Sequence, residues 1–364
     1  MAEKKNDKDG EDKILVLTQK ANEGDSDAQY ELGKLYYHGE GVKESDEDAV
    51  KWFTLSAEQG NSDAQYILGE CYYWGCGIAL SKEEGFKWAL RSAKQGNKGA
   101  QFRVGRCYCN GEGTEKSEQE GVKWYRLSAE QGYSSAQNNL GYCYENGKGV
   151  EKSYQDAEKW YRLSAEQEDE WGQNNLGRCY ENGWGVKKDR NEALKYYSKS
   201  AKQGHEYAID NLNRLFLIEK KGISGPKLIL TISAFSEMGS SLAKREYLYT
   251  LECADEPDYA HIIHEYEKMK PKDSITALNI ARLYYENNDE THFEQYYNDS
   301  KEQGVLLTLA NDSTDENGEL RFLSGWLFEK GISVPKDIEM AKELYSKSEE
   351  KGFPLSTKYL KRIS

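Results

Sequence analysis

Apolar residues recur along the first half of the chain at intervals of four, as at Ala28, Leu32 and Tyr36. An i, i+4, i+8 pattern puts one stripe on one side of an α-helix. The stripe predicts a first helix from about Ala28 to His38, ended by Gly39. A second helix carries Ala49, Trp52, Phe53 and Ala57 at the same spacing and stops at Gly60. No proline precedes Pro226, so nothing in this stretch breaks a helix.

The pattern repeats. Ala-Gln recurs at Ala28, Ala64, Ala100 and Ala136, followed by Gly172-Gln173 and by Ala208, every 36 residues. A gapless period of that length is the mark of a helical solenoid, in which stacked helix pairs bury a core that none could bury alone. Glycine pairs such as Gly39-Gly41 and Gly111-Gly113 supply the turn between the two helices of each unit. The expectation is an all-α solenoid of about nine antiparallel helix pairs.

The motif A-Q-x-x-L-G-x-x-Y-x-x-G-x-G-V, continued by A-x-K-W-Y-x-x-S-A-E-Q-G, resembles the Sel1-like repeat, a relative of the tetratricopeptide repeat. Five successive units carry it over residues 28–207. The resemblance implies a right-handed superhelix acting as a protein-binding adaptor. Departures gather late in the array: Gly172 opens the fifth unit in place of Ala, Glu168 replaces the closing Gly, and Tyr196 stands where Trp52, Trp88, Trp124 and Trp160 stand. Beyond 207 the motif decays, through Ser236–Gly239 and Ile280–Tyr285 with Glu302–Gly304. It returns over 319–352 with Gly325, Gly331, Ala341, Tyr345 and Gly352. The organisation read from this is a charged, disordered tail at 1–13, a capping helix at 14–27, five repeats at 28–207 and degenerate helical repeats at 208–318. A last repeat at 319–352 and a capping helix at 353–364 follow. A separate domain at 220–318 is the alternative to one continuous solenoid.

Charge narrows the function. With 49 basic and 63 acidic residues the chain has a formal net charge of −14, which argues against binding nucleic acid, since that needs a basic stripe to neutralise phosphates. A mean hydropathy of −0.90, with no apolar run of about 18 residues, argues against membrane insertion. Aromatics make up 12%, including 27 Tyr and 8 Trp, enough to build a core from large rings. The stretch Ile14–Leu17 is too short for a signal peptide. Seven cysteines without a stapled-domain spacing fit a reducing, cytoplasmic setting.

The residues that suggest chemistry resolve into structure. Cys71, Cys107, Cys143 and Cys179 hold the position of Leu35 in successive units, and helices stacked about 8–10 Å apart hold cysteines too far apart for a disulfide, so they are read as core. Cys76 and Cys109 lie off that ladder and take no role. His261 and His264 fall at i, i+3 without a third ligand, so no metal is expected. The glycine turns follow helices and lack the other residues of a phosphate loop. No nucleophile or isolated carboxylate pair stands out; the chain is read as non-enzymatic and without a cofactor.

What remains is a binding surface. Counted at 100° per residue from the opening Ala, offsets 2, 6 and 9 of each first helix lie opposite the apolar stripe and are expected to line a concave groove. They are Tyr30, Lys34 and Tyr37; Tyr66, Glu70 and Tyr73; Phe102, Arg106 and Cys109; Asn138, Tyr142 and Glu145; Asn174, Arg178 and Glu181; and, in the last unit, Phe322, Trp326 and Glu329. Aromatic rings suit binding hot spots, and Asn side chains suit the backbone of an extended peptide. The expected partner is a protein or peptide bearing a basic patch, drawn by the acidic balance. Two other readings stay open: an inhibitor or immunity-type protein that occludes an enzyme or toxin, and, more weakly, a glycan or small-molecule binding module. Gln29, Gln65, Gln101, Gln137 and Gln173 are read as structural, bonding backbone between units.

Overall fold

The computed structural model describes residues 14–220, 225–252, 257–269, 274–302 and 318–364; the tail expected at 1–13, and Gly304 of the degenerate region, lie outside them. All regular structure among the described residues is α-helical. The chain divides into two compact units, one ending at Tyr196 and one running from Tyr197 to Ser364.

In the first unit a short helix α1 (14–22) precedes helix pairs of uniform length. These are α2 (Ser26–His38) with α3 (Asp46–Glu58), α4 (Ser62–Trp74) with α5 (Lys82–Lys94), α6 (Lys98–Asn110) with α7 (Glu118–Glu130) and α8 (Ser134–Asn146) with α9 (Tyr154–Glu166). Next come α10 (Glu170–Asn182) and α11 (Arg190–Lys202). The first helices begin 36 residues apart. Local chemistry sets their ends. Asp25, Asn61, Asn97 and Asp169 cap the first helices of four units, and Ser45, Ser81, Ser117 and Ser153 cap second helices, each side chain accepting a backbone N–H of the opening turn. Such caps contribute about 1 kcal/mol each.

The core lies between the two helices of each pair and against the next. Ala64, Leu68, Ala100, Val104, Ala136, Leu140 and Leu176 are buried. Rings from second helices fill the space above first-helix glycines: Phe53 over Gly33, Tyr125 over Gly105 and Tyr161 over Gly141. The neighbouring tryptophans Trp52, Trp88, Trp124 and Trp160 are only half-buried. In the first, third and fourth units the ring that fills the core is therefore the residue after the Trp, not the Trp itself; after Trp88 stands Ala89, whose backbone closes on Gly69.

Glutamines join unit to unit. Gln65 Nε2 donates to the Ala57 carbonyl at 3.0 Å, and Gln95 Nε2 donates to Gln65 Oε1 at 2.8 Å. The same two bonds recur at Gln29 with Gln59, Gln101 with Gln131 and Gln137 with Gln167. Each buried amide thus satisfies a helix-end carbonyl of the preceding unit, which the orphaned ends of helices require. This bears out the structural reading for Gln29, Gln65, Gln101 and Gln137.

The turns add a second link. Gly113 has φ +71°, and a Cβ there would overlap the carbonyl of Lys82, at the start of the preceding unit's second helix. A side chain is excluded twice over, by backbone angle and by space.

The second unit holds the rest of α11, then α12 (Glu206–Lys220), α13 (Gly225–Met238), α14 (Ser241–Glu252), α15 (Tyr259–Glu267), α16 (Ser274–Glu286), α17 (Glu290–Glu302), α18 (Glu319–Lys330), α19 (Ile338–Glu350) and α20 (Ser356–Ile363). One core cluster joins Tyr249, Tyr266, Leu278, Leu283, Phe322, Trp326, Tyr345, Phe353 and Tyr359. Polar groups are buried with it: Arg282 pairs with both oxygens of Glu252 at 2.8 Å and donates to Tyr359 Oη at 2.9 Å. Arg245 pairs with Glu319 at 3.1 Å. Burial of an ion pair carries a desolvation cost that its charge pairing and added hydrogen bonds oppose.

Candidate functional site

The first helices α2, α4, α6, α8 and α10 expose the strip that helical geometry picks out, but much of it is occupied by contacts between units. Glu70 is held by Arg103 of the next unit; the Arg103 guanidinium also lies 4.4 Å over the ring of Tyr73. Tyr73 is only 5% exposed and donates its hydroxyl to Glu112 at 2.6 Å; burial first, and that carboxylate second, push its hydroxyl up to about 12. Glu145, buried as well, accepts from Tyr161 Oη at 2.7 Å and from Arg178 at 2.8 Å. Asn138 accepts from Asn175 of the next unit at 2.9 Å, and Asn174 is buried. Tyr73, Glu145 and Asn174 therefore do not project freely from the face as their angular position suggests. The neighbouring first helix closes over them sideways.

The aromatic part of the strip is likewise tucked in. Tyr30 sits 6.0 Å from Phe53 with Lys34 over its ring at 5.3 Å, and Lys34 pairs with Glu31. Tyr66 packs against Gly99, and burial pushes its hydroxyl up to about 12. Phe102 meets Tyr133 at 5.2 Å, with Arg106 over its ring at 5.9 Å. Tyr37 stays exposed; Arg178 and Glu181 are half-buried. In the last unit Phe322, Trp326 and Glu329 are buried outright. Phe353 and Tyr359 close on Phe322 at 4.9 and 4.8 Å, Trp326 Nε1 donates to Glu286 at 3.2 Å, and Arg362 reaches Glu329 at 2.7 Å. The terminal helix α20 thus covers the face that the same offsets leave open elsewhere.

Two exposed rings flank the face of α8. Tyr142 is 44% exposed and Trp171, at the start of α10, is 47% exposed. Phe102, Arg106, Ser135, Asn138, Asn139, Asp169 and Trp171 line a cleft of about 320 Å³. A second cleft of about 290 Å³ shares Arg106 and Asn139 and adds Cys109, Lys116, Tyr142, Cys143 and Lys148. Arg106, Asn138 and Tyr142 are thus brought together. Trp74, 58% exposed at the end of α4, and Trp171 were missed because they lie at offsets 10 and −1. Their signal was compositional: the equivalents of Trp74 are His38, Asn110, Asn146 and Asn182, and those of Trp171 are Asp27, Asp63, Gly99 and Ser135.

The cysteine ladder is core. Cys71, Cys107, Cys143 and Cys179 are buried free thiols, and burial pushes Cys71 up to about 12, Cys107 to about 11 and Cys179 to about 12. Thiols so placed are unreactive at neutral pH. His261 and His264 are both exposed, and no group of three or more metal-ligating side chains occurs among the described residues. No helix among them is long and apolar enough to cross a membrane.

Comparison with known proteins supplies the family. The Sel1 repeat model matches residues 26–61, 62–97, 99–133, 134–169, 172–205 and 320–353. A protective antigen present in uropathogenic Escherichia coli strains, displaying an SLR fold, superposes with a TM-score of 0.55 at 27% identity, over 95% of this chain and 73% of that one. A Sel1 repeat protein from Oxalobacter formigenes gives 0.54 at 30% identity, over 62% of this chain and 96% of that one. A search of curated proteins by sequence returned no match. With glutamine-linked helix pairs matched over more than half its length, the chain belongs to the Sel1 repeat family.

Proposed function

We propose that the chain is a non-catalytic adaptor that holds a partner protein, or a segment of one, on the first-helix face of its third to fifth repeats. Repeats of this family generally serve protein–protein interaction, which makes a protein partner the first expectation. The observation that carries the site is the pair of clefts around Arg106 and Asn139, flanked by the exposed rings of Tyr142 and Trp171. Large rings beside a guanidinium and an amide are the composition of a binding hot spot. Asn138 and Asn139 offer further donors and acceptors to an extended backbone. The net charge of −14 favours a partner of opposite sign and a salt-sensitive association rate.

The test is capture of partners from native lysate by the wild type and by a Tyr142→Ala, Trp171→Ala double variant, quantified by mass spectrometry. Removing two hot-spot rings costs roughly 2 kcal/mol each, so recovery falls by well over tenfold. Because neither ring is buried, the thermal midpoint stays within about 2 °C of wild type. Equal recovery of the same partner by both proteins moves the site away from this face. Tyr37→Ala with Tyr73→Ala, the pair that angular position alone recommends, would confound binding with folding because Tyr73 is core.

A further inference from the structure

One tyrosine of the array stands without the glutamate that its equivalents carry. In the fourth unit Tyr161 Oη donates to Glu145 at 2.7 Å, and in the last unit Tyr345 Oη donates to Glu329 at 2.9 Å, each glutamate lying 16 residues before its tyrosine. Glu181 and Tyr197 of the fifth unit keep the same spacing. The first two units have neither member in these places, carrying Tyr37 with Phe53 and Tyr73 with Ala89. The third unit keeps the tyrosine, Tyr125, and replaces the glutamate by Cys109. Tyr125 is 4% exposed. Among the described residues no carboxylate bonds its hydroxyl, to which Asn139 Nδ2 donates at 3.4 Å. A cysteine is shorter than a glutamate, and beneath Cys109 stands Gly121, where the glutamate units have Ala157 and Ala341. The space a carboxylate fills in those units is here part of the 290 Å³ cleft that Tyr125 and Cys109 line.

The second donor of the motif is uncommitted as well. Arg178 and Arg362, each 33 residues after the glutamate, reach Glu145 and Glu329 at 2.8 and 2.7 Å. Arg106 has the same place in the frame, but it follows Tyr73, whose hydroxyl goes to Glu112. Among the described residues Arg106 forms no ion pair; it lies half-buried over Phe102 and lines the same cleft as Tyr125. Lys116 and Lys148 add two ammonium groups, so three cations face the single carboxylate of Glu118. Glu118 lies 3.8 Å from Lys116, and Lys148 donates to Tyr142 Oη at 3.1 Å.

We propose that this cleft is a glutamate slot: a partner segment places a glutamate side chain where Glu145 and Glu329 stand in their own units. The inference rests on the docking face proposed above and adds the chemistry of what enters it. Tyr125 Oη donates to the incoming carboxylate, and Arg106 with Lys148 neutralises it. A hydroxyl withheld from water without a strong acceptor is costly, and an incoming carboxylate removes that cost. An excess of cations selects a carboxylate over an amide of the same shape, because bonds to a charged acceptor are about twice as strong. The acidic balance of the whole chain acts at long range on the partner as a body; the slot reads one side chain of its docked segment and so fixes the register.

The first experiment reads the wild-type full chain. Its arginine side chains are labelled with nitrogen-15, and the Nε–H resonance of Arg106, assigned through Arg106→Lys, is followed during titration. The probes are N-acetyl-L-glutamate N-methylamide and its glutamine analogue. The glutamate probe is expected to shift the resonance saturably with a Kd on the order of 10 mM, and the glutamine analogue to bind at least about tenfold more weakly. Equal shifts from the two probes, or none from either, overturn the proposal.

A second experiment supplies the carboxylate in cis. In Cys109→Glu the probe no longer shifts Arg106, and the amides of α7 and α8 exchange at least about tenfold more slowly than in Cys109→Gln. Adding Tyr125→Phe to both variants removes that difference; a difference that survives it refutes the role of the Tyr125 hydroxyl. Partner capture then separates this inference from the reading beneath it. Cys109→Glu is expected to lose a partner that Cys109→Gln retains. If both retain it while Tyr142→Ala with Trp171→Ala loses it, the docking face stands and the slot falls; if all three retain it, both fall.

Discussion

Replacing Gly113 and Gly132 separately by Ala isolates the close approach that joins one repeat to the next. Both residues have positive φ, +71° and +79°, so both substitutions carry the same left-handed backbone cost of roughly 1–2 kcal/mol, partly offset by about 0.5 kcal/mol from a stiffer unfolded chain. They differ in space. Nothing lies within 4 Å of a Cβ at Gly132, whereas at Gly113 it would overlap the Lys82 carbonyl. Forcing α5 away from the turn adds the cost of an overpacked core, about 2 kcal/mol. The expected loss is therefore about 1 kcal/mol for Gly132→Ala and about 3 kcal/mol for Gly113→Ala. Native-state hydrogen exchange resolves the difference, because it reads local opening in an array that need not unfold in one step. Amides of α5 and α6 should exchange about 30-fold faster in Gly113→Ala than in Gly132→Ala, the factor that 2 kcal/mol corresponds to. Matching exchange rates in the two variants would show that the turn does not bear on the preceding helix.

Two further outcomes follow from side chains already described. Glu265 lies between Lys244 at 2.8 Å and Lys268 at 3.0 Å, and these ammonium groups hold its carboxyl down at about 2. A lowered folded-state value means that the contribution, about 1 kcal/mol after solvent screening, is complete above pH 4.5 and fades as pH falls towards 2. Urea midpoints of wild type and Glu265→Gln should therefore converge over that interval, and a gap that persists at pH 2 would refute the assignment. Trp88→Ala should cost about 1–2 kcal/mol, below the 3–5 kcal/mol of a fully buried ring, because Trp88 is half-exposed under the Arg91 guanidinium at 4.3 Å; the same denaturation assay checks it.

The helices, their turns and their glutamine links were readable in the sequence because each depends on residues a fixed number of places apart. Ala28, Leu32 and Gln29 report their surroundings through spacing alone. The binding strip was less readable, since a helical wheel treats a helix as an isolated cylinder. Tyr73, Glu145 and Asn174 point away from the apolar stripe, yet Arg103, Arg178 and the adjoining first helix bury them from the side. That lateral contact depends on the distance between first helices, which no periodicity encodes. Trp326 was hidden from sequence reasoning for a related reason: its cover is Tyr285 and Glu286 of α16, in the degenerate region where the repeat has decayed.

Each buried glutamine looks back by one unit for its acceptor, and each partner amide caps the C-terminal end of the second helix of its own unit. The joint is the same chemical fitting at every seam of the first four units. Excising or duplicating one whole 36-residue module would therefore bring an identical donor to an identical carbonyl, whereas a cut of any other length would leave both dangling. An array joined in this way can change its reach by whole steps and keep the grammar of its seams.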